Sequence, residues 1–137
     1  SIIKFLPWKE ITMKITTGID IIEVSRVKEA IEEQNNKFLS KIYTEKEIEY
    51  CSNTGKMEYQ HFAARFAAKE AVFKAISEFI KDNENEYWRK IEVLNDNNGR
   101  PKINLGIKLS KDIDSIDISI SHIKELAIAN VVVVFKD

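Results

Sequence analysis

The chain has 137 residues, of which 44% are hydrophobic and 31% are charged, and its 21 basic and 22 acidic residues give a formal net charge of −1. A chain of this length suits one domain with a single core. The balanced charge excludes a global nucleic-acid-binding surface, so any charged partner has to meet a local patch. The longest apolar runs fall short of the ~20 residues that a transmembrane helix requires.

The start of the chain is interpreted as an N-terminal extension over residues 1–12, followed by a single domain over residues 13–137 with Met13 as the native start. The extension lacks a long apolar stretch and a small-residue cleavage site, so it is not typical of a secretory signal. Cys51 is the only cysteine, which excludes an internal disulfide and indicates a reducing cytoplasm. With no histidine nearby in sequence, a buried and unreactive thiol is favoured over a nucleophile.

Hydrophobic periodicity predicts helices and strands that do not follow a regular βαβ order. In chain order these are a strand over residues 14–22, a helix from about 25, a short helix over 45–52, a long helix over 57–80, a hairpin with its turn at 95–101, and two strands joined by a turn at 122–125. Ser25 is the expected N-cap of the first helix. Thr44 and Glu47 form a capping-box pattern before the second. This order favours an α+β fold with a mostly antiparallel sheet.

Asp20 is anomalous in the first strand, because β propensity disfavours aspartate there. The alternation places Ile15, Ile19 and Ile21 on one face and Gly18 with Asp20 on the other. A carboxylate in apolar surroundings needs a compensating partner, and a cation is one solution. The alternative is an aspartate at the end of the strand that caps the next helix or faces solvent.

The segment RFAAKEAVFKAIS, residues 65–77, carries charges between two apolar stripes of a helix. One stripe consists of phenylalanines and the other of alanines: Phe62, Phe66 and Phe73, and Ala67, Ala68, Ala71 and Ala75. Glu70 and Lys74 lie between these stripes, whereas Arg65 and Lys69 form a second narrow strip. The alanines allow another backbone to approach closely. Two interpretations stay open: a surface ion pair contributing about 0.2–0.5 kcal/mol, or a functional site at an interface.

A convergence of Asp20 and Glu70 would require a cation, because two neighbouring carboxylates repel each other. Mg²⁺ suits this pair, since it takes one or two protein carboxylates and completes its coordination with water and phosphate oxygens. The sequence has no histidine and cysteine cluster at zinc spacing. Arg65, Lys69 and Lys74 on the same helix suit a phosphate ester, so the set predicts metal-assisted phosphoryl transfer.

Four segments together resemble the holo-acyl-carrier-protein synthase family of 4'-phosphopantetheinyl transferases. They are GIDIIEVSRV, RFAAKEAVFKAI, NDNNGRPKI and SISHIKELAIANVVV, and the resemblance covers about residues 14–135. The combination of G-x-D, F-A-x-K-E-A-x-x-K-A and S-x-S-H-x-K is specific, whereas each piece alone is weak. The resemblance implies an α+β fold, a homotrimer with active sites at subunit interfaces, and transfer of 4'-phosphopantetheine from coenzyme A to a serine of apo acyl carrier protein in fatty acid biosynthesis.

The resemblance also implies roles for individual residues. Asp20 and Glu70 would hold Mg²⁺, Glu70 would help to remove the serine proton, and Lys74 would neutralise or protonate the departing phosphate. The implied contacts with coenzyme A are Arg65, Asn98, Gly99, Arg100, Pro101, Ser121 and His122. The implied contacts with the acidic carrier protein are Arg26, Lys37, Phe38 and Lys41. Both lysines stand where relatives often have arginines, so the charge is kept and the bidentate geometry is lost.

The chain departs from the family's pattern after the catalytic helix. Many relatives have a glycine-rich stretch there, whereas this chain has SEFIKDNENEYW, which contains no glycine. Backbone contacts with coenzyme A near residues 77–84 are therefore not carried over. A non-catalytic alternative also stays open: a trimeric α+β module in which Glu70 and Lys74 form an interfacial salt bridge and the basic helix binds an acidic protein partner.

Overall fold

A computed structural model of the protein describes residues 13–81 and 86–137. The predicted extension over residues 1–12 lies outside the described residues. The strands are β1 (Lys14–Glu23), β2 (Ile91–Asn95), β3 (Pro101–Leu105), β4 (Ile113–His122) and β5 (Leu126–Phe135). The α-helices are α1 (Val24–Gln34), α2 (Asn36–Ile42), α3 (Glu45–Ser52) and α4 (Glu58–Ile76), with short 3₁₀ helices at Gly55–Met57, Ser77–Phe79 and Trp88–Lys90. In this part of the chain no helix is both long and apolar enough to span a bilayer.

Two antiparallel sheets carry the fold. β5 lies between β1 and β4 in a three-stranded sheet, and β2 pairs with β3 in a separate hairpin. Alternate side chains of β5 are buried beneath α4: Ala127, Ala129, Val131, Val133 and Phe135. An apolar helix stripe and an apolar sheet face bury each other in this way. The predicted α+β class with antiparallel pairing is confirmed.

Gly18 permits α4 to lie directly on β1. A Cβ at this position would stand 1.8 Å from the carbonyl oxygen and 2.8 Å from the carbonyl carbon of Ala71. The alanines of the predicted stripe are all buried, as expected for a helix whose backbone touches its neighbour. The prediction of close backbone approach is therefore confirmed. Because side chains alternate along a strand, Asp20 points to the same side of β1 as Gly18.

Several local predictions can be compared directly with the structure. Thr44 and Glu47 form the predicted capping box, with the Thr44 N–H donating to Oε1 of Glu47 at 2.8 Å. The N-cap prediction for Ser25 is wrong, because α1 begins at Val24 and Glu23 is the N-cap. The predicted helix over 57–80 is too long, since α4 ends at Ile76 and continues only as a 3₁₀ turn. α2 was not predicted, because seven residues are too few to show a helical period.

A buried ion pair contradicts the expectation that Lys69 meets phosphate. Its Nζ lies 2.8 Å from Oε1 of Glu47, and both side chains are 0% exposed. Lys69 also donates to the carbonyl oxygens of Trp88 at 2.8 Å and Ile91 at 2.5 Å. Glu47 accepts the N–H of Val93 at 2.8 Å. Burial lowers the pKa of Lys69, and the attraction of Glu47 opposes this shift. Lys69 therefore ties α3, α4 and β2 together, out of reach of a substrate.

Candidate active site

One cavity contains both of the carboxylates that the sequence singled out. Asp20 from β1 and Glu70 from α4 line a space of about 370 Å³, together with Arg26 from α1. Asp20 lies within β1 rather than at its end, and its side chain is 19% exposed. The aspartate is therefore neither a strand-end cap nor a freely solvated surface group.

The donor set of this cavity fits Mg²⁺ that shares its coordination with a substrate. The residues that the structure describes contain no group of three or more His, Cys, Asp or Glu side chains able to hold a metal by themselves. Two carboxylates are, however, the number that Mg²⁺ commonly takes from a protein, because water and substrate phosphates supply the remaining ligands. Asp20 and Glu70 would be the protein ligands.

Lys74 lies one helical turn beyond Glu70 and pairs with the other carboxylate. Its Nζ donates to Oδ1 of Asp20 at 3.1 Å and to the carbonyl oxygen of Ile19 at 2.9 Å. The surface i,i+4 pair with Glu70, one of the two interpretations that the sequence left open, is therefore not formed in the isolated chain. An ammonium has three N–H donors, so the third is available to a ligand. The Lys74 side chain is 51% exposed, and an exposed pair of this kind is worth less than about 1 kcal/mol.

Tyr87 holds Glu70 and was not identified from the sequence. Its hydroxyl donates a hydrogen bond to Oε1 of Glu70. Its ring stacks on Phe73, with 4.0 Å between the ring centroids. Burial raises the pKa of Tyr87, and the hydrogen bond to Glu70 and the negative charge of that carboxylate raise it further. The phenol is therefore protonated at neutral pH and acts as a donor.

Arg65 lies on the N-terminal side of Glu70 along α4, in a different environment. The residue is 4% exposed, and its guanidinium lies 4.3 Å from the ring centroid of Tyr50. Its Nη2 is 3.5 Å from Oδ1 of Asn95, which is a long hydrogen bond. Its Nε has no hydrogen-bond partner within the described part of the chain. Much of the donor capacity of Arg65 is thus unused.

His122 is the last residue of β4 and lies close to the beginning of α4. Its Nδ1 is 2.9 Å from Oε1 of Gln60, and its ring meets His61 edge-on at 5.2 Å between centroids. Burial lowers the pKa of His61, and the neighbouring His122 and Arg65 lower it further. An anion beside His61 would oppose this lowering, because it would favour the charged form of that ring. Sequence analysis missed His61 because a lone histidine in a helix carries no pattern.

A cavity of about 620 Å³ adjoins this region and also escaped the sequence analysis. It contains Gln60, the partner of His122, and three lysines: Lys28, Lys56 and Lys124. Two of its lining residues also line the cavity of Asp20 and Glu70: Glu23 and Leu126. The lysines come from α1, a 3₁₀ helix and the turn between β4 and β5, so no sequence spacing joins them. Glu125 lines it as well, so its three lysines outnumber its two carboxylates by only one.

The residues of the hairpin turn line neither of these two cavities in the single chain. Asn98, Gly99 and Arg100 are exposed, and the carboxylate of Asp96 accepts the N–H groups of Asn98 at 2.8 Å and Arg100 at 3.0 Å. Gly99 has φ +79°, which glycine adopts readily. Arg100 lines a separate cavity along β4 and β5. Two other residues predicted to contact coenzyme A lie on strands: Pro101 begins β3, and Ser121 is exposed on β4.

The residues predicted to meet a carrier protein have unequal exposure. Arg26, Lys37 and Lys41 are exposed. Phe38 is half-buried, and its ring stacks on Phe66 with 6.4 Å between centroids. Arg26 alone of the four lines the cavity of the two carboxylates. The three cations therefore form the accessible part of this predicted surface, and Phe38 is mainly a packing residue.

The fold and the paired carboxylates define a class of group-transfer enzyme: the chain belongs to the 4'-phosphopantetheinyl transferase superfamily, whose family model matches residues 16–132. Within it, the chain is similar to holo-[acyl-carrier-protein] synthases. That of Ruminiclostridium cellulolyticum is 42% identical over 91% of this chain and 96% of the relative.

Two solved structures extend the comparison. A holo-(acyl-carrier-protein) synthase from Bacillus anthracis, in complex with coenzyme A (3',5'-ADP), is 35% identical with a TM-score of 0.70, over 89% of this chain and 97% of that one. The Helicobacter pylori holo-[acyl-carrier-protein] synthase, in complex with coenzyme A, is 29% identical with a TM-score of 0.64, over 85% and 98% of the two chains. The family identified from the sequence motifs is confirmed.

Proposed function

We propose that the protein is a holo-[acyl-carrier-protein] synthase that transfers 4'-phosphopantetheine from coenzyme A to a serine of apo acyl carrier protein. The observation that carries this proposal is the cavity shared by Asp20 and Glu70, with Lys74 paired to Asp20 beside it. The relatives that bear this name match nearly the whole chain. The proposed setting is fatty acid biosynthesis in the cytoplasm, where the carrier protein is the acceptor.

The reaction exchanges one phosphate ester for another. The serine oxygen bonds to the β-phosphorus of coenzyme A, and the bond from that phosphorus to the bridging oxygen breaks, releasing adenosine 3',5'-bisphosphate. The serine proton has to leave, and the departing phosphate gains negative charge. The Glu70 carboxylate can help to remove the serine proton. The unused N–H of Lys74 can donate to the departing phosphate.

Mg²⁺ bound by Asp20 and Glu70 would offset negative charge on the pyrophosphate. The remaining phosphate of coenzyme A suits the cavity of Lys28, Lys56 and Lys124, because the lysines outnumber its two glutamates and because Gln60 and the nearby His122 supply further donors. The incompletely paired Arg65 adds a further donor close to that region. The proposed nucleotide site thus adjoins the proposed site of transfer.

We also propose that the protein is a homotrimer whose active sites are completed by a neighbouring copy. The outer face of the three-stranded sheet exposes Ile15, Ile19, Ile21 and Val132, which are 54%, 57%, 59% and 37% exposed. Several large apolar side chains exposed on one sheet face are typical of an interaction surface. The turn at Asn98–Pro101 does not line the cavity of Asp20 and Glu70 in one chain, which also supports a site shared between copies.

The proposed carrier-protein surface comprises Arg26, Lys37 and Lys41, with Arg26 closest to the site of transfer because it lines the same cavity as Glu70. An acidic carrier docked on these cations would present its serine at that cavity. Charge complementarity of this kind accelerates association and selects the partner.

A transfer assay followed by mass spectrometry tests the proposed function. The protein is incubated with coenzyme A, Mg²⁺ and apo acyl carrier protein, and the carrier is expected to gain the mass of one phosphopantetheine group. A carrier whose acceptor serine is replaced by alanine serves as the control and must gain nothing. The proposal fails if no mass is added to a carrier that an established synthase modifies under the same conditions.

A further inference from the structure

We infer that Tyr87 is a positioning residue for Glu70: its phenol holds one carboxylate oxygen and leaves the other for the cavity that Asp20 also lines. The inference rests on the proposed function, because it assigns Glu70 a task in the reaction. The hydrogen bond from the Tyr87 hydroxyl to Oε1 of Glu70 is the contact that carries it.

The position of the phenol is fixed by packing that does not depend on Glu70. The Tyr87 ring stacks on Phe73 at 4.0 Å and on Trp88 at 4.8 Å between centroids, with interplanar angles of 20° and 25°. Trp88 in turn stacks on Phe66 at 4.8 Å. Both phenylalanines belong to α4, the helix that carries Glu70. The aromatic rings therefore fasten the Tyr87 hydroxyl to the same helix as the carboxylate it holds.

The backbone next to Tyr87 is fastened as well. The Nζ of Lys69 donates to the carbonyl oxygen of Trp88 at 2.8 Å and to Oε1 of Glu47 at 2.8 Å. This ion pair is completely buried, so it has no contact with a substrate. The pair nevertheless affects the site. It fixes the backbone of Trp88, which is adjacent to Tyr87, and so helps to set the position of the Tyr87 side chain.

Glu70 needs such a restraint because no other described side chain supplies one. Lys74, one turn along the helix, donates to Asp20 and to a backbone carbonyl. A glutamate has three side-chain torsions, so without Tyr87 its carboxylate could turn away from the cavity. Hydrogen bonds to ligating carboxylates orient them, and their removal typically costs about 10- to 100-fold in metal affinity or activity.

Tyr87 closes the segment in which the sequence departs from the pattern of its relatives. The stretch SEFIKDNENEYW contains no glycine, and its last two residues, Tyr87 and Trp88, stack on phenylalanines of α4. A glycine at such a position could offer only backbone atoms to the site. In this chain the segment offers a phenol that reaches Glu70.

The experiment compares Tyr87→Phe with Tyr43→Phe, each of which removes one hydroxyl and keeps the ring. Tyr43 donates to the carbonyl oxygen of Phe62 at 2.7 Å in a buried part of the core, so its variant controls for loss of stability. Mn²⁺ binding without substrate is measured by electron paramagnetic resonance, thermal unfolding is recorded, and kcat and KM are determined in the transfer assay. Tyr87→Phe should weaken Mn²⁺ binding and lower kcat by about 10- to 100-fold, with KM for coenzyme A nearly unchanged. Tyr43→Phe should lower only the thermal midpoint.

Two results would overturn the inference: Mn²⁺ binding by Tyr87→Phe within about twofold of the unmodified protein, whether or not activity is lost, or an equal loss of Mn²⁺ binding in Tyr43→Phe. The first would show that the phenol does not set the carboxylate, and the second that any loss of packing has the same effect. An unmodified protein that binds Mn²⁺ but transfers no phosphopantetheine would refute the proposed function instead, and the Mn²⁺ titration would still decide the role of Tyr87.

Discussion

Substitution of Gly18 by alanine should damage both stability and transfer, because this glycine sets the distance between β1 and α4. The added Cβ would stand 1.8 Å from the carbonyl oxygen of Ala71, and real Cβ contacts are essentially never shorter than 3.0 Å. Both partners in the clash are backbone groups or are attached directly to the backbone. No side-chain rotation can relieve it, so the helix and the strand have to move apart by more than 1 Å.

The expected cost follows from this displacement. Overpacking a well-packed core costs about 1–3 kcal/mol and occasionally more, and a clash between backbones belongs at the upper end. Glu70 directly precedes Ala71, and Asp20 follows Gly18 by two residues, so the same movement separates the two carboxylates. A misplacement of about 1 Å can reduce an enzymatic rate by about 100-fold. Gly18→Ala should therefore lose about 3 kcal/mol of unfolding free energy and most of its transfer activity.

Gly106→Ala is a matched control, because a Cβ at position 106 would meet no atom closer than 3.7 Å. Its free energy of unfolding should stay unchanged or rise by about 0.4–1 kcal/mol through the reduced freedom of the unfolded chain. Urea unfolding and the transfer assay measure both variants. The reasoning is wrong if Gly18→Ala unfolds within about 0.5 kcal/mol of the unmodified protein and transfers phosphopantetheine at a comparable rate.

Three further predictions concern charged and titratable groups. Asp20→Asn and Glu70→Gln should each reduce kcat by at least about 100-fold with the thermal midpoint nearly unchanged, and activity within a few-fold of the unmodified protein would contradict the proposed metal site. Arg26→Glu should raise KM for the carrier protein, more strongly at low salt, and an effect confined to coenzyme A would contradict the docking role. Because burial lowers the pKa of His61, the unfolded chain binds more protons than the folded one below about pH 6.5, so the unfolding free energy should fall between about pH 7 and pH 5. Urea unfolding at both pH values should show a smaller fall for His61→Phe, and an equal fall would refute this assignment.

Local signals in the sequence were sufficient for much of the fold. The capping box of Thr44 and Glu47 and the turn around Gly99 depend on residues only a few positions apart, and both form as predicted. Asp20 was recognisable because a carboxylate among isoleucines conflicts with its surroundings. The structure brings it into one cavity with Glu70, a relation that only the family resemblance indicated in advance.

Lys69 shows why the contacts between distant parts of the chain could not be predicted from the sequence. A helical wheel gives the angle at which a side chain leaves the helix, but not which element covers that angle. Arg65 and Lys69 share one strip of α4, and both are buried. Lys69 meets the carboxylate of Glu47, 22 positions earlier in the chain, whereas Arg65 meets the ring of Tyr50. Tyr87 was missed for the same reason, since its contact with Glu70 spans 17 positions and no sequence pattern joins the two residues.

The buried pair of Glu47 and Lys69 is better explained by the backbone groups that it satisfies at the edge of β2 than by the attraction between the two charges. A buried ion pair is often no more stable than apolar residues of the same size, because both charges lose their hydration. β2 pairs with β3 on one side only. At its other edge the N–H of Val93 donates to Glu47, and the carbonyl oxygen of Ile91 accepts from Lys69. The two side chains thus replace a missing strand. An apolar pair would leave both backbone groups unsatisfied, at about 1–3 kcal/mol each, and would release the segment that carries the phenol to Glu70.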